Sequence, residues 1–364
     1  MIRGVLIRFC GALALWFTLD ALAFRTGWYA SILKPDSTAG FFETRLYGER
    51  HRTVGNPNQV LAVGDSRIPL RARIANSITS ETGYTFATIA TPGTNPRCWY
   101  YMLRDVDPSA NRYAAVVIPA DTYDDRAYDD YAASEIDIRY LVPVLRIGDI
   151  FDFAFSFPAW PERGQALATG LLKGLAYQQD FQDFVVNHRK RLEDVRRVRE
   201  QAFQWTYNAA WDDLSLAGMT VDWDTHAIHL PGWLNPGVRE DSERLLMRDP
   251  APRSADLAAY RGKWLGRIVA HYRGSRTLLI FVRLPRGPVV RPNLPADRDS
   301  TIRDLASRGE VALVAEHFFD GLERPELFGD ALHMNGPGGE KFSLSLAREA
   351  SRMLRERQTA GTAH

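Results

Sequence analysis

Cysteine is nearly missing from this chain: among 364 residues only Cys10 and Cys98 carry a thiol. Two thiols, one of them inside an N-terminal apolar run, make no disulfide framework, so the compartment has to be read from other features. Excess charge of one sign is missing as well, with 45 Lys and Arg against 44 Asp and Glu. Without such a field a nucleic-acid partner is disfavoured. No phosphate-binding loop is present, and the absence of G-x-S-x-G argues against an α/β-hydrolase elbow. Gly336, Gly338 and Gly339 follow no expected strand and lack the G-x-G-x-x-G order, so no dinucleotide site is indicated. Asp224, His226 and His229 have a spacing that a metal would accept, but no additional ligand group stands nearby. Neither a cofactor nor a metal is therefore expected.

What the chain does have begins at its N-terminus. Arg3 and Arg8 precede an uncharged apolar stretch from Phe9 to Leu19, followed by Asp20 and by Ala21 to Phe24. Counted from Val5 to Phe24 the segment reaches the roughly 20 residues that span a bilayer, provided that Arg8 snorkels and Asp20 is tolerated. Ala21 and Ala23 equally fit the A-x-A pattern of a cleaved signal peptide. Both readings of residues 1–25 place the remainder outside the cytoplasm, in the cell envelope as an anchored domain or as a periplasmic or secreted one. Residues 26–54 read as a juxtamembrane segment.

Beyond it, short apolar runs alternate with helical periodicity. Gln59 to Val63, Tyr84 to Ala90 and Tyr113 to Ile118 read as strands, with helices expected over Ile68 to Ile78 and Pro96 to Val106. Strands return at Thr277 to Val282 and Val311 to Ala315, and Gly339 to Arg357 closes the chain as an amphipathic helix. Alternation of this kind implies α/β architecture with a central parallel sheet. One domain is expected over 55–357, with helices and loops of about 125–272 inserted between its third and fourth strands, and 358–364 as a tail. The charged stretch from His188 to Arg199 reads as a solvated helix face.

Two loops at the carboxyl ends of these strands hold the chemistry. Gly64-Asp65-Ser66 follows the first strand, and a serine at the start of the next helix would sit among unpaired backbone N–H groups suited to an oxyanion. Asp330-Ala331-Leu332-His333 lies in a loop before the last helix. There a carboxylate three residues away can hold one ring nitrogen of the imidazole and leave the other facing a serine hydroxyl. His317, just past the fifth strand, reads as a core or rim histidine.

The two motifs in this order resemble those of the SGNH, or GDSL-like, hydrolase superfamily. The resemblance covers the sheet, about half of the chain, and leaves the insert outside it. It implies a three-layer, flavodoxin-like sandwich with Ser66 as nucleophile, His333 as base and Asp330 as its partner. It also implies an oxyanion hole from the Ser66 and Gly93 N–H groups. The family's asparagine after the third strand has no counterpart in Pro119-Ala120-Asp121-Thr122-Tyr123, so Asn95 is expected to replace it, or the hole rests on two donors. Arg67 and Arg97 are candidates to meet an anionic substrate. With the exported start, the chain is similar to envelope members that move acyl groups on cell-surface polymers. An acyl-ester or carbohydrate substrate and a membrane acyl-transfer partner are what that implies. A catalytically silent module that binds a polysaccharide or an assembly partner is the alternative from another class. A lipid or thioester hydrolase is the third reading, which a long apolar groove beside Ser66 would favour.

Overall fold

The computed structural model describes residues 2–52, 57–126, 131–201, 210–246, 248, 255–289 and 300–361. They form two compact units, one of residues 1–52 with 131–205 and one of residues 53–130 with 206–364. The helical segment expected as one insert over 125–272 is thus divided between them.

The second unit is built on a sheet of five parallel strands, in which Thr85–Thr88, Gln59–Ala62, Ala115–Ala120, Leu278–Arg283 and Ala312–Leu313 lie side by side in that order. These are β1 (Gln59–Ala62), β2 (Thr85–Thr88), β3 (Ala115–Ala120), β6 (Leu278–Arg283) and β7 (Ala312–Leu313). All six residues of β3 are buried, which is why the strand reads as an unbroken apolar run. Val60, Ala62, Phe86, Ala115, Val117, Ile280 and Val282 share one core with Phe342, Leu346 and Leu354 of the closing helix Gly336–Gly361. Residues of the other parity, among them Leu61, Val116, Ile118, Leu279 and Phe281, are buried too. Helices Pro96–Val106 and Ala255–Tyr272 pack on each other. A two-stranded antiparallel hairpin of β4 (Thr220–Asp222) and β5 (Ala227–His229) carries the Asp224, His226 and His229 group. Pure helix-and-loop was expected there.

Strand order sets where the winding of this sheet reverses. The chain winds from β1 to β2 on one side and to β3 on the other, so the winding reverses between β1 and β3. Beyond the carboxyl ends of such strands a crevice opens, because the two connections leave in opposite directions. Proline in a central strand is accommodated at the same point. The Val63 N–H donates to the Val117 carbonyl at 3.0 Å, so Val117 turns its polar groups toward β1. Pro119, two residues on, turns the same way, but β1 has already ended and no donor is needed. Gly64 is the turning residue, and a Cβ there would lie 2.8 Å from the Pro119 ring.

The first unit is helical. Its first helix, Ile2–Phe24, has the length and apolarity to cross a membrane over Arg3–Phe24. At about 1.5 Å per residue it is roughly 34 Å long, close to the ~30 Å of a bilayer core. The acidic residue in its apolar run has a specific use: Asp20 is buried and accepts the N–H groups of Lys173 (3.1 Å) and Gly174 (2.7 Å), opening the helix Lys173–Ala176. Arg25 donates to the carbonyls of Gly170 and Leu171, at the end of helix Trp160–Leu171. Phe24 packs against Tyr29, Tyr177 and Phe181. The expected juxtamembrane segment contains the helix Thr38–His51, which packs on Ile136–Leu141 and Gln178–Gln201. Within the last of these, Arg191 is buried and ion-paired to Asp180 and Asp183, so that stretch is more than a solvated face.

Candidate active site

Ser66 stands in a turn just after β1, and the loop that holds it is fixed by hydrogen bonds from the loop after β2. The Gly64 carbonyl accepts both the Thr91 N–H and the Thr94 hydroxyl, each at 2.9 Å. Between those residues Pro92 and Gly93 form a turn closed by Thr94 N–H to Thr91 O, with Gly93 at φ 67°. A proline followed by a left-handed glycine is the type II pattern, which turns the glycine N–H outward from the turn. Among the described residues neither the Ser66 nor the Gly93 N–H donates a hydrogen bond. Two unused amides on loops tied together are what an oxyanion would need.

The helix expected from Ile68 is shorter than its periodicity suggests and begins only at Ala72, running to Asn76. Pro69 disfavours helical geometry at Ile68, and the Arg71 N–H is taken by the Ser343 hydroxyl at 2.8 Å. Ser66 therefore lies outside any helix terminus. Its acidity has to come from a side-chain base.

That base is present. His333 Nε2 lies 2.9 Å from Ser66 Oγ, and His333 Nδ1 lies 2.8 Å from Asp330 Oδ2. With the carboxylate ionised, Nδ1 carries the proton and donates it to Asp330, which leaves the Nε2 lone pair facing the hydroxyl. Asp330 also accepts the N–H groups of Leu332 (2.8 Å) and His333 (2.7 Å), so the loop's own backbone fixes its carboxylate. Burial pushes the Asp330 carboxyl up, but the hydrogen bond and charge of His333 with the two amides outweigh it and hold the group below its ordinary 3.8. The Phe328–Met334 bridge and the Gly329 N–H to His333 O bond close the loop at its base. Asn335 then locks the exit: its amide donates to the Leu214 and Glu326 carbonyls, and its oxygen accepts the Gly338 N–H as the last helix starts.

No family model matches the chain. No curated protein sequence matches it either.

The remaining expected residues fall elsewhere. Asn95 is fully buried, and its oxygen accepts the Arg97 N–H (3.1 Å) and the Tyr260 hydroxyl (2.7 Å), capping helix Pro96–Val106. With no accessible surface it is placed as a helix cap, away from the position of an oxyanion donor. Arg97 is also fully buried, its guanidinium 5.6 Å from the Tyr260 ring centroid, and presents no surface to an anionic substrate. Arg67 is held between Asp65 (2.5 Å) and Asp121 (2.5 Å). Asp121 is the first residue after β3, where the resembled family carries its asparagine. His317 is exposed and bonded to Asp320 at 2.8 Å.

One residue of the site escaped the sequence reading. Trp211 stacks on the His333 ring with centroids 3.8 Å apart and planes 13° from parallel. Its segment is clamped to the His333 loop: Arg71 ion-pairs with Asp212, and the Asp212 and Leu214 carbonyls accept from Gly336 and Asn335. Gly329 and Gly336 permit that approach, since a Cβ at either would lie 2.9 Å or 3.1 Å from this segment's backbone. An indole face stacked on the imidazole restrains its rotation.

Proposed function

We propose that this chain is a membrane-anchored serine hydrolase or O-acyltransferase of the SGNH type, acting on an acyl ester of an envelope or extracellular carbohydrate. The observation that supports it most is the hydrogen-bonded series Ser66 Oγ, His333 Nε2, His333 Nδ1 and Asp330. The sheet order, with Ser66 beyond the strand at which winding reverses, agrees with a three-layer SGNH sandwich interrupted between its third and fourth strands.

In the proposed reaction Ser66 Oγ attacks the ester carbonyl as its proton passes to His333 Nε2. The oxyanion is held by the Ser66 and Gly93 N–H groups, Asp330 stabilises the imidazolium and Trp211 restrains its rotation. Collapse breaks the ester bond, the alkoxide leaves with the proton from Nε2, and Ser66 remains acylated. Water or a sugar hydroxyl then gives its proton to Nε2 and attacks the acyl carbon; the acyl–Oγ bond breaks and the Nε2 proton returns to Ser66 Oγ.

The packing of Asp20, Phe24 and Arg25 into the helical unit supports a retained anchor over a cleaved leader, since cleavage after Ala23 would remove the cap at Lys173 and Gly174. One observation favours the second reading, a silent binding module: Asp121, locked to Arg67, replaces the family's amide donor. The two part on incubation of the full chain with nitrophenyl acetate and a soluble oligosaccharide. An acetyl group on Ser66 by peptide mass spectrometry, passed on to water or sugar, supports the enzyme; an unmodified Ser66 with oligosaccharide bound supports the module.

A further inference from the structure

A second apolar surface lies in the helical unit, outside anything the reaction uses. Ile147, Phe151 and Phe155, each four residues apart through the short helices Ile147–Asp149 and Ile150–Ala154, are 68%, 63% and 51% exposed. On the opposite side of the same turns Ile150, Phe153, Ala154 and Phe157 are buried. Trp160, opening the next helix, is 71% exposed, and the Arg163 guanidinium lies over both Trp160 (5.1 Å) and Phe155 (6.0 Å), which joins them into one patch. Large apolar side chains gathered in the open mark a surface that meets another apolar body, and these four are in no core.

Helix Trp160–Leu171 links the patch to the anchor. Gly170, near the end of Trp160–Leu171, packs on Ile150, where a Cβ would meet that side chain at 2.9 Å. Gly170 and Leu171 receive Arg25, the residue after the anchor helix, and the following residues receive Asp20. Helix Trp160–Leu171 thus starts at the patch and ends where the anchor leaves the bilayer. More apolar side chains, Leu171, Leu175, Phe181 and Val185, stand exposed around that foot. Where a span ends, its neighbours sit at the boundary between hydrocarbon and headgroups, where tryptophan and phenylalanine are favoured.

We infer that the segment 147–171 is an interfacial hairpin that lies in the lipid bilayer crossed by the anchor, with Ile147, Phe151, Phe155 and Trp160 immersed in the headgroup and upper acyl region. The inference rests on the anchor reading above, and its test keeps the two apart. In a Cys10→Ala background, the full chain in phosphatidylcholine vesicles would carry one environment-sensitive fluorophore at a time, on Phe151→Cys, Trp160→Cys, Leu13→Cys in the anchor, or exposed Ser307→Cys in the sheet unit. The expected result is that lipids brominated on their tails quench positions 151, 160 and 13 at least twofold more than 307, while iodide in the water quenches only 307. Labels at 151 and 160 that are open to iodide and indifferent to bromolipid would overturn the inference. So would labels shielded from both quenchers, which would mean that a second copy covers the patch. Position 13 reports the anchor separately: quenching there without quenching at 151 and 160 refutes the hairpin alone, and the reverse refutes only the spanning helix.

Discussion

The two units treat apolar surface differently. In the sheet unit the exposed large apolar side chains are scattered, as Leu214, Trp233 and Phe318, whereas the helical unit exposes a run of them from Ile147 to Val186 in addition to its first helix. Polar groups show the converse: in the sheet unit buried Asp and Arg side chains such as Asp65 hold the loop around Ser66, while in the helical unit buried Asp20 and Arg191 tie helices together. On the proposed reading, one unit presents chemistry to solvent and the other stands against lipid. Chemistry and placement are therefore separable by mutation.

The largest effect separates them completely. Ser66→Ala lowers ester turnover by about 10⁴-fold or more while vesicle flotation stays unchanged, and Asp330→Asn lowers kcat by about 10²–10⁴-fold, because an amide no longer fixes the imidazole tautomer. Loss of flotation in either variant would break the comparison. Next comes Trp211→Ala, which gives roughly a 10-fold loss in kcat with KM little changed, as an aromatic pair worth about 0.5–1.5 kcal/mol predicts; Trp211→Phe retains most activity. An effect confined to KM would make Trp211 a substrate contact instead.

Smaller effects fall in the helical unit. Asp20→Ala removes a carboxylate from two buried N–H groups and lowers the melting of that unit by the equivalent of about 1–3 kcal/mol, read by hydrogen exchange at Lys173 and Gly174, with activity on a soluble ester intact. The smallest effect is on pH dependence. Burial, with Arg25 adding to it, pushes Lys173 down to about 8 from 10.5, although Asp20 and Glu43 oppose the shift. The unfolded chain holds more protons between those values, so this group makes the helical unit more stable as pH rises from about 8 to 10.5, and Lys173→Met flattens that slope. Asp330 has the same sense in an acid window: depressed below 3.8, its contribution to the sheet unit is full above that value and disappears as pH falls through the lower one.

Much of the sheet was legible because buried parallel strands leave apolar runs with little else to mistake them for. The structure has strands within a few residues of each expected run, and it brings Ser66, His333 and Asp330 together as the two motifs suggested. Other features were hidden for physical reasons. Pro69 and the Arg71 amide override helical periodicity after Ser66. The Trp211 and Arg71–Asp212 contacts join segments more than a hundred residues apart, which no local pattern records. Asn95 looked available because a loop asparagine reads alike as donor or cap, and its burial decides for the cap. Asp20 looked like a blemish in an apolar span until its partners at Lys173 and Gly174 were seen.

The central claim is that Ser66 is an activated nucleophile, and covalent labelling of the full chain in detergent by a fluorophosphonate tests it most directly. The account predicts a single label on Ser66, absent from Ser66→Ala and strongly slowed in His333→Ala. A folded wild-type chain that takes up no label, or one labelled equally fast without His333, would contradict it.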